Sequence, residues 1–120
     1  MFVFLWCWVI FYISSIPYLK TDLGIIDLFL RKIAHFVEYA VLYILWWRAY
    51  TQSFKTRIRV SLIISIAACI LYALSDEFHQ GFVPGREGSS LDVILYDAPG
   101  AILTAYLIQR YPRLAEFIKR

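Results

Sequence analysis

Apolar residues along the chain form four runs that are separated by short polar connectors. The runs cover about residues 1–16, 28–50, 60–74 and 91–108. About 20 consecutive apolar residues make a helix that crosses the hydrocarbon core of a bilayer. The pattern therefore predicts an all-α fold: a polytopic membrane helix bundle with about four transmembrane helices, in one domain over residues 1–120.

The first run is short for a membrane span, and a signal peptide is the competing interpretation. No basic residue precedes the apolar run, and no small-residue cleavage pattern follows it before Pro17. We therefore favour an uncleaved helix that starts at the membrane face. In the fourth run, Pro99 and Gly100 predict a kink, which membrane helices tolerate when neighbouring groups satisfy the freed carbonyls.

Composition supports the membrane interpretation. Hydrophobic residues make up 61% of the 120 residues and charged residues only 18%, against about 45–50% and about 25% in soluble domains. This excludes a soluble enzyme and a disordered chain. Cys7 and Cys69 lie inside apolar runs and have no zinc-type or redox spacing, so we interpret them as small hydrophobic residues rather than a disulfide pair.

The charges divide unequally between the two sides of the predicted bundle. The loop after the second run and the C-terminal tail hold eight of the twelve Lys and Arg residues and one of the nine acids. Because Lys and Arg accumulate in cytoplasmic loops, we predict a multi-pass protein of the cytoplasmic membrane with both termini inside. Membrane lipids then explain the net charge of +3, and we expect no nucleic-acid partner.

A polar stripe interrupts the start of the second run. At 100° per residue, Arg31, Lys32, His35 and Glu38 fall on one side of a helix. The two basic side chains can extend to lipid headgroups. His35 and Glu38 lie deeper, and an ionisable residue at that depth usually faces a bundle interior or a water-filled cavity. They are candidate site residues, with a structural hydrogen-bond network as the alternative.

A second polar group ends the third run, where Asp76, Glu77, His79 and Gln80 lie within five residues. Adjacent carboxylates need a nearby cation, a metal or a shared proton. The alternative is that the acids simply mark the water interface. A helical continuation would place Asp76, His79 and Gln80 on one face.

The following loop carries the remaining candidates. Pro84 and Gly85 predict a turn that directs Arg86 towards the acids or towards an anionic ligand. Ser89 or Ser90 is a candidate N-cap of the fourth helix, in which Asp92 occupies the first turn. Metal binding is permitted by the i, i+3 pairs of the second and third helices, which are His35 with Glu38 and Asp76 with His79. The spacing does not specify a metal, so we assign no metal ligand and no cofactor from the sequence.

Three stretches together resemble the VanZ-like family: residues 31–42, residues 75–86, and Asp92 with Val93. The resemblance covers about residues 12–107. It implies a small multi-pass bacterial membrane protein whose founding family member is associated with resistance to the glycopeptide antibiotic teicoplanin. The motif residues that carry over are Lys32, His35, Glu38, Asp76, Glu77, His79, Gln80, Arg86 and Asp92.

These residues lead to two hypotheses for a site at the extracytoplasmic face. In the first, the protein acts on a lipid-linked cell-envelope precursor. The groups that would exchange protons are Glu38, Asp76, Glu77, His35 and His79. The groups that would hold the anionic substrate are Lys32, Gln80, Arg86 and Asp92. In the second, the protein binds a precursor, a glycopeptide or a partner protein without catalysis, and the polar network is structural. The sequence leaves catalysis and binding open.

Overall fold

Helices joined by turns make up the computed structural model, which describes residues 2–18, 22–86 and 88–120 and has no strand among them. The helices are α1 (Phe2–Ser14), α2 (Ile25–Ser53), α3 (Ile58–Gln80), α4 (Ser90–Arg110) and α5 (Pro112–Lys119). The predicted all-α class is confirmed. The third helix continues through the polar residues to Gln80, and the basic tail forms a helix of its own.

Two of the described helices, α3 and α4, are long and apolar enough to cross a membrane by length and composition. Their 23 and 21 residues correspond to about 34 and 31 Å of helix. Helix α1 is apolar but has 13 residues, and α2 has 29 residues and carries the polar stripe. Large apolar side chains such as Leu71 and Ile94 are exposed on the outside of α3 and α4. The total of about four spans remains a prediction.

Helix α2 supplies the centre of the core. Tyr39, Leu42, Tyr43 and Trp47 lie at i, i+3 and i+4 spacing on one face, and all four are buried. The indole Nε1 of Trp47 donates a hydrogen bond to Ser61 Oγ at 3.1 Å, so the polar atom of this large side chain is satisfied inside the core.

The candidate residues gather at one end of the bundle because successive helices reverse direction. Helices α1 and α3 end where α2 and α4 begin. The polar stripe of α2, the polar end of α3 and the first turns of α4 therefore share this end, which we call the site end. The short basic connection between α2 and α3 lies at the opposite end.

Helix α4 contains a wide turn beside the site end. Residues Val93–Asp97 are π-helical, and the N–H of Ala98 donates to the carbonyl of Val93, five residues earlier. Pro99 has no N–H and cannot continue regular α-helical bonding back along the chain. The disturbance predicted at Pro99 and Gly100 therefore lies one turn earlier.

Gly100 marks the closest approach of α4 to α2. A Cβ atom at this position would collide with the backbone carbonyl of Phe36. The contact is between two main chains, so no side-chain rotation can relieve it.

We expect the Gly100→Ala substitution to destabilise the protein by roughly 1–3 kcal/mol, the usual cost of overpacking. The measurement is the free energy of unfolding in detergent. The control is Gly81→Ala, which adds the same methyl group at an exposed residue with helical backbone angles. Equal effects of the two substitutions would contradict the close helix contact.

Candidate functional site

The stripe on α2 makes two polar contacts to α4 and one ion pair within its own helix. Lys32 Nζ lies 2.6 Å from Asp92 Oδ2, and His35 Nδ1 lies 3.1 Å from Asp97 Oδ1. Both pairs join α2 to α4. The third pair, between Arg31 and Asp27, lies within α2 and has an Nε–Oδ2 distance of 3.0 Å. The aromatic ring of Tyr96 also lies 4.8 Å from Lys32 Nζ.

Asp76 is buried and joins α3 to α1. Its Oδ1 accepts a hydrogen bond from Ser14 Oγ at 2.6 Å, and its Oδ2 accepts one from Gln80 Nε2 at 3.1 Å. Both carboxylate oxygens therefore have a donor. The bond from Gln80 lies within α3, because Gln80 follows Asp76 by one helical turn.

Glu77 is buried beside Asp76, and its carboxylate contacts the backbone at the start of α4. Its Oε2 accepts a hydrogen bond from the N–H of Ser89 at 2.7 Å. Gly88 passes so close to the carbonyl of Glu77 that a Cβ atom there would collide with it. Ser89 occupies the N-cap position of α4 but makes no side-chain capping bond. Its contribution to the site is therefore the backbone N–H.

The sequence predicted that Arg86 points towards the acids or towards an anionic ligand; among the described residues its hydrogen bonds go to the end of α1 and its side chain forms no ion pair with an acid. Its Nη2 donates to the carbonyl of Ile13 at 2.7 Å and its Nε to the carbonyl of Ile16 at 3.2 Å. A cation suits these last carbonyls of a helix. Burial, with Arg31 nearby, lowers the pKa of the Arg86 guanidinium.

The turn before Arg86 fits against the same end of α1. The N–H of Tyr18 donates to the carbonyl of Pro84 at 3.1 Å. Gly85 has a φ of +75°, and a Cβ atom there would collide with the Tyr18 ring. Glycine therefore permits both the left-handed backbone and the contact that positions Arg86.

His79 stands apart from the other candidates. Its ring stacks on Phe11 of α1 with a centroid distance of 4.4 Å. Its Nδ1 is buried and has no hydrogen-bond partner among the described residues. Sequence spacing placed His79 with Asp76 and Gln80, but the ring packs against an aromatic side chain outside the cavities described next.

Three cavities that share lining residues lie beside the polar stripe of α2 at the site end. The polar cleft, of about 370 Å³, is lined by Leu28, Arg31, Lys32, His35, Gln80, Gly85, Arg86, Ser89 and Asp92. The inner chamber, of about 80 Å³, shares Arg31, His35, Gln80 and Arg86 with the cleft and adds Ile10, Ile13, Ser14, Ala34 and Glu38. The apolar groove, of about 430 Å³, is lined by Ile25, Leu28, Phe29, Lys32, Ile33, Phe36 and Tyr96.

Eight of the nine predicted site residues thus line the polar cleft or the inner chamber, or bond to a residue that does. Lys32, His35, Gln80, Arg86 and Asp92 line the polar cleft, and Glu38 lines the inner chamber. Asp76 borders them through its bonds to Ser14 and Gln80. Glu77 reaches the cleft wall through Ser89, and His79 does not line either cavity.

A family model described as VanZ/LLP1 matches residues 1–112 of the 120-residue chain. The chain belongs to the VanZ/LLP1 family. The resemblance seen in the sequence is therefore confirmed over nearly its whole length. No curated protein and no solved structure matches the chain.

Sequence reasoning did not predict two buried polar residues that bond to the predicted ones, besides Arg31 and Ser89 in the wall of the cleft. Asp97 is 1% exposed and pairs with His35. Ser14 is buried and donates to Asp76. The signal for Asp97 was an acid inside an apolar run. The signal for Ser14 was weak, because a serine at the end of a helix usually bonds its own backbone.

We expect Ser14→Ala to destabilise the protein by about 1–3 kcal/mol, because it leaves a buried carboxylate oxygen of Asp76 without its donor. The measurement is the free energy of unfolding in detergent. Ser15→Ala is the matched control, since the exposed Ser15 hydroxyl donates only to the carbonyl of Phe11. A loss in Ser15→Ala as large as that in Ser14→Ala would argue against a special role of the Ser14–Asp76 bond.

Proposed function

We propose that this VanZ/LLP1 protein binds the anionic headgroup of a lipid-linked cell-envelope precursor at the outer face of the cytoplasmic membrane. The observation that carries the proposal is the junction of two unlike cavities. The polar cleft and the apolar groove share Leu28 and Lys32. A molecule with a charged head attached to an apolar chain matches both parts.

The polar cleft has the charge that a phosphate or pyrophosphate requires. Among the described residues, three strong cations line it, Arg31, Lys32 and Arg86, against one acid, Asp92. Arginine forms paired hydrogen bonds to phosphate, and lysine adds a compact positive charge. His35 adds a ring that can donate a hydrogen bond or carry charge.

The apolar groove suits the chain of such a lipid. Phe29 and Ile33 on α2 are exposed, and Tyr96 on α4 forms the other wall. In a membrane this surface would meet acyl chains. The chain of a bound lipid would therefore leave the site into its ordinary environment, while Lys32 holds the head at the boundary.

The distribution of basic residues supports the outer face. Lys55, Arg57 and Arg59 lie at the end of the bundle opposite to the cleft. Under the positive-inside rule that end is cytoplasmic, which leaves the cleft facing outwards.

Of the two hypotheses that the sequence left open, we favour binding. Asp76 and Glu77, two of the predicted catalytic acids, each accept hydrogen bonds that join the site end together. These bonds connect α3 to α1 and to the start of α4, so the two acids stabilise the packing of the helices. Lys and Arg outnumber acids among the described residues that line the cleft, and an excess of cations favours the binding of an anion.

Binding of a polyisoprenyl phosphate to the protein in nanodiscs is expected to weaken about tenfold or more in Lys32→Gln, because a hydrogen bond to a charged group contributes about 1.5–3 kcal/mol. The control is Lys55→Gln, which removes the same charge at the opposite end. If Lys55→Gln weakened binding as much, the attraction would be to net charge and the proposed site would be wrong.

The contribution of the groove is tested separately with Ile33→Trp, which places a large side chain in it. We expect weaker binding of the polyisoprenyl phosphate and unchanged binding of inorganic phosphate. Equal effects on both anions would show that the apolar groove holds no chain.

We extend the proposal to teicoplanin, on the strength of the family resemblance. Expression in a susceptible bacterium is expected to raise the teicoplanin concentration that prevents growth, and Lys32→Gln is expected to remove the effect while Lys55→Gln keeps it. Direct binding of teicoplanin to the protein with no binding of the polyisoprenyl phosphate would instead identify the antibiotic as the ligand.

A further inference from the structure

Asp97 is the least accessible charged side chain of the site and is only partly satisfied. It is 1% exposed, its Oδ1 lies 3.1 Å from His35 Nδ1, and its Oδ2 has no hydrogen-bond partner among the described residues. A buried carboxylate oxygen without a partner is costly. It therefore marks a position where a further ligand would be stabilised.

Two more donor groups converge on the same point. One ligand atom from each of His35, Glu77 and Asp97 lies within 4.8 Å of the other two. The three residues come from α2, α3 and α4, so the packing of three helices brings them together. From these observations we infer that His35, Glu77 and Asp97 bind a divalent transition-metal ion.

The distances suit coordination after small side-chain movements. Ligand atoms about 2.0–2.2 Å from a tetrahedral zinc ion lie about 3.3 Å from each other. His35 and Asp97 already have that spacing. The other separations need to close by less than about 1.5 Å, which side-chain rotation can supply.

Charge also favours a cation here. Two carboxylates and a neutral imidazole balance a charge of +2. The strong cations near the cluster have other partners, since Lys32 pairs with Asp92 and Arg86 donates to the carbonyls of Ile13 and Ile16. Among the described residues, neither Glu77 nor Asp97 has a Lys or Arg within salt-bridge distance.

The donor set favours a transition metal over magnesium or calcium. An imidazole nitrogen suits zinc, iron and their neighbours, whereas magnesium and calcium prefer oxygen donors only. Three protein ligands also leave a position for water or another ligand. His35 lines both the polar cleft and the inner chamber, which supplies a path for the ion.

This set differs from the one that sequence spacing permitted. The i, i+3 pairs suggested His35 and Glu38 with Asp76 and His79. The structure instead commits Asp76 to Ser14 and Gln80, and His79 to Phe11. Glu77 and Asp97 take their places beside His35.

The test is isothermal titration calorimetry on the protein after purification in detergent and treatment with a chelator. Zn²⁺ and Mn²⁺ are titrated in separate experiments, with no other ligand present. We expect one ion per chain. His35→Gln is expected to weaken binding by at least about 100-fold, more than the loss of an outer-shell partner usually costs. His79→Gln is the matched control, because it removes the other histidine and is expected to change the affinity less than about threefold.

Asp97→Asn and Asp76→Asn form a second matched pair. We expect Asp97→Asn to lose metal binding and Asp76→Asn to keep it. Because a buried substitution can unfold the chain, the melting temperature of each variant is measured in chelator, and visible Co²⁺ absorption is recorded on the folded variants. The inference is overturned if the wild type binds no stoichiometric ion, if folded His35→Gln binds as tightly as the wild type, or if His79→Gln loses binding. No lipid is present in this titration, so its result is independent of the lipid-binding proposal.

Discussion

Buried acids set the main physical constraint on this bundle. Asp76, Glu77 and Asp97 are almost fully enclosed at one end of a largely apolar protein. A carboxylate in such surroundings is tolerated only where donors or cations compensate for lost water. The arrangement of helices at the site end follows from where those compensating groups come from.

Each acid is compensated by a different part of the chain. Asp76 takes its donor from α1, Glu77 takes the backbone N–H before α4, and Asp97 of α4 faces His35 of α2. The same acids that would destabilise an isolated helix therefore specify which helices meet. Removing one partner would leave a buried polar group uncompensated, so a packing of the helices that separates these partners is disfavoured.

The helices, and the end of the bundle where the polar residues gather, could be predicted from the sequence to a large extent. The helices follow from the apolar runs, and the position of the site follows from polar residues that interrupt these runs near the same end. Lys32, His35 and Glu38 were placed together by helical periodicity alone, and the cavities do contain them. Periodicity works here because it describes one helix at a time.

Pairing between helices could not be predicted in the same way. Helical periodicity places His79 on the same face of α3 as Asp76. Its ring nevertheless packs on Phe11, because α1 lies beside this part of α3. Arg86 was expected to point towards the acids or towards an anionic ligand. It lines the polar cleft, and the contact of the Pro84 turn with Tyr18 brings its guanidinium to the carbonyls of Ile13 and Ile16, which the sequence did not predict. Asp97 depends on the π-helical turn of α4, which has no simple sequence signature.

The ion pair between Lys32 and Asp92 has a consequence for how the site responds to a ligand. Lys32 joins α2 to α4 through this contact. An anion that draws the ammonium group towards itself competes with Asp92, so occupancy of the cleft and release of the first turn of α4 are thermodynamically linked. By reciprocity, any influence that separates these two helix ends increases the affinity for the anion by the same factor. If the cleft binds an anion as proposed, the position of the first turn of α4 and the occupancy of the cleft would therefore regulate one another.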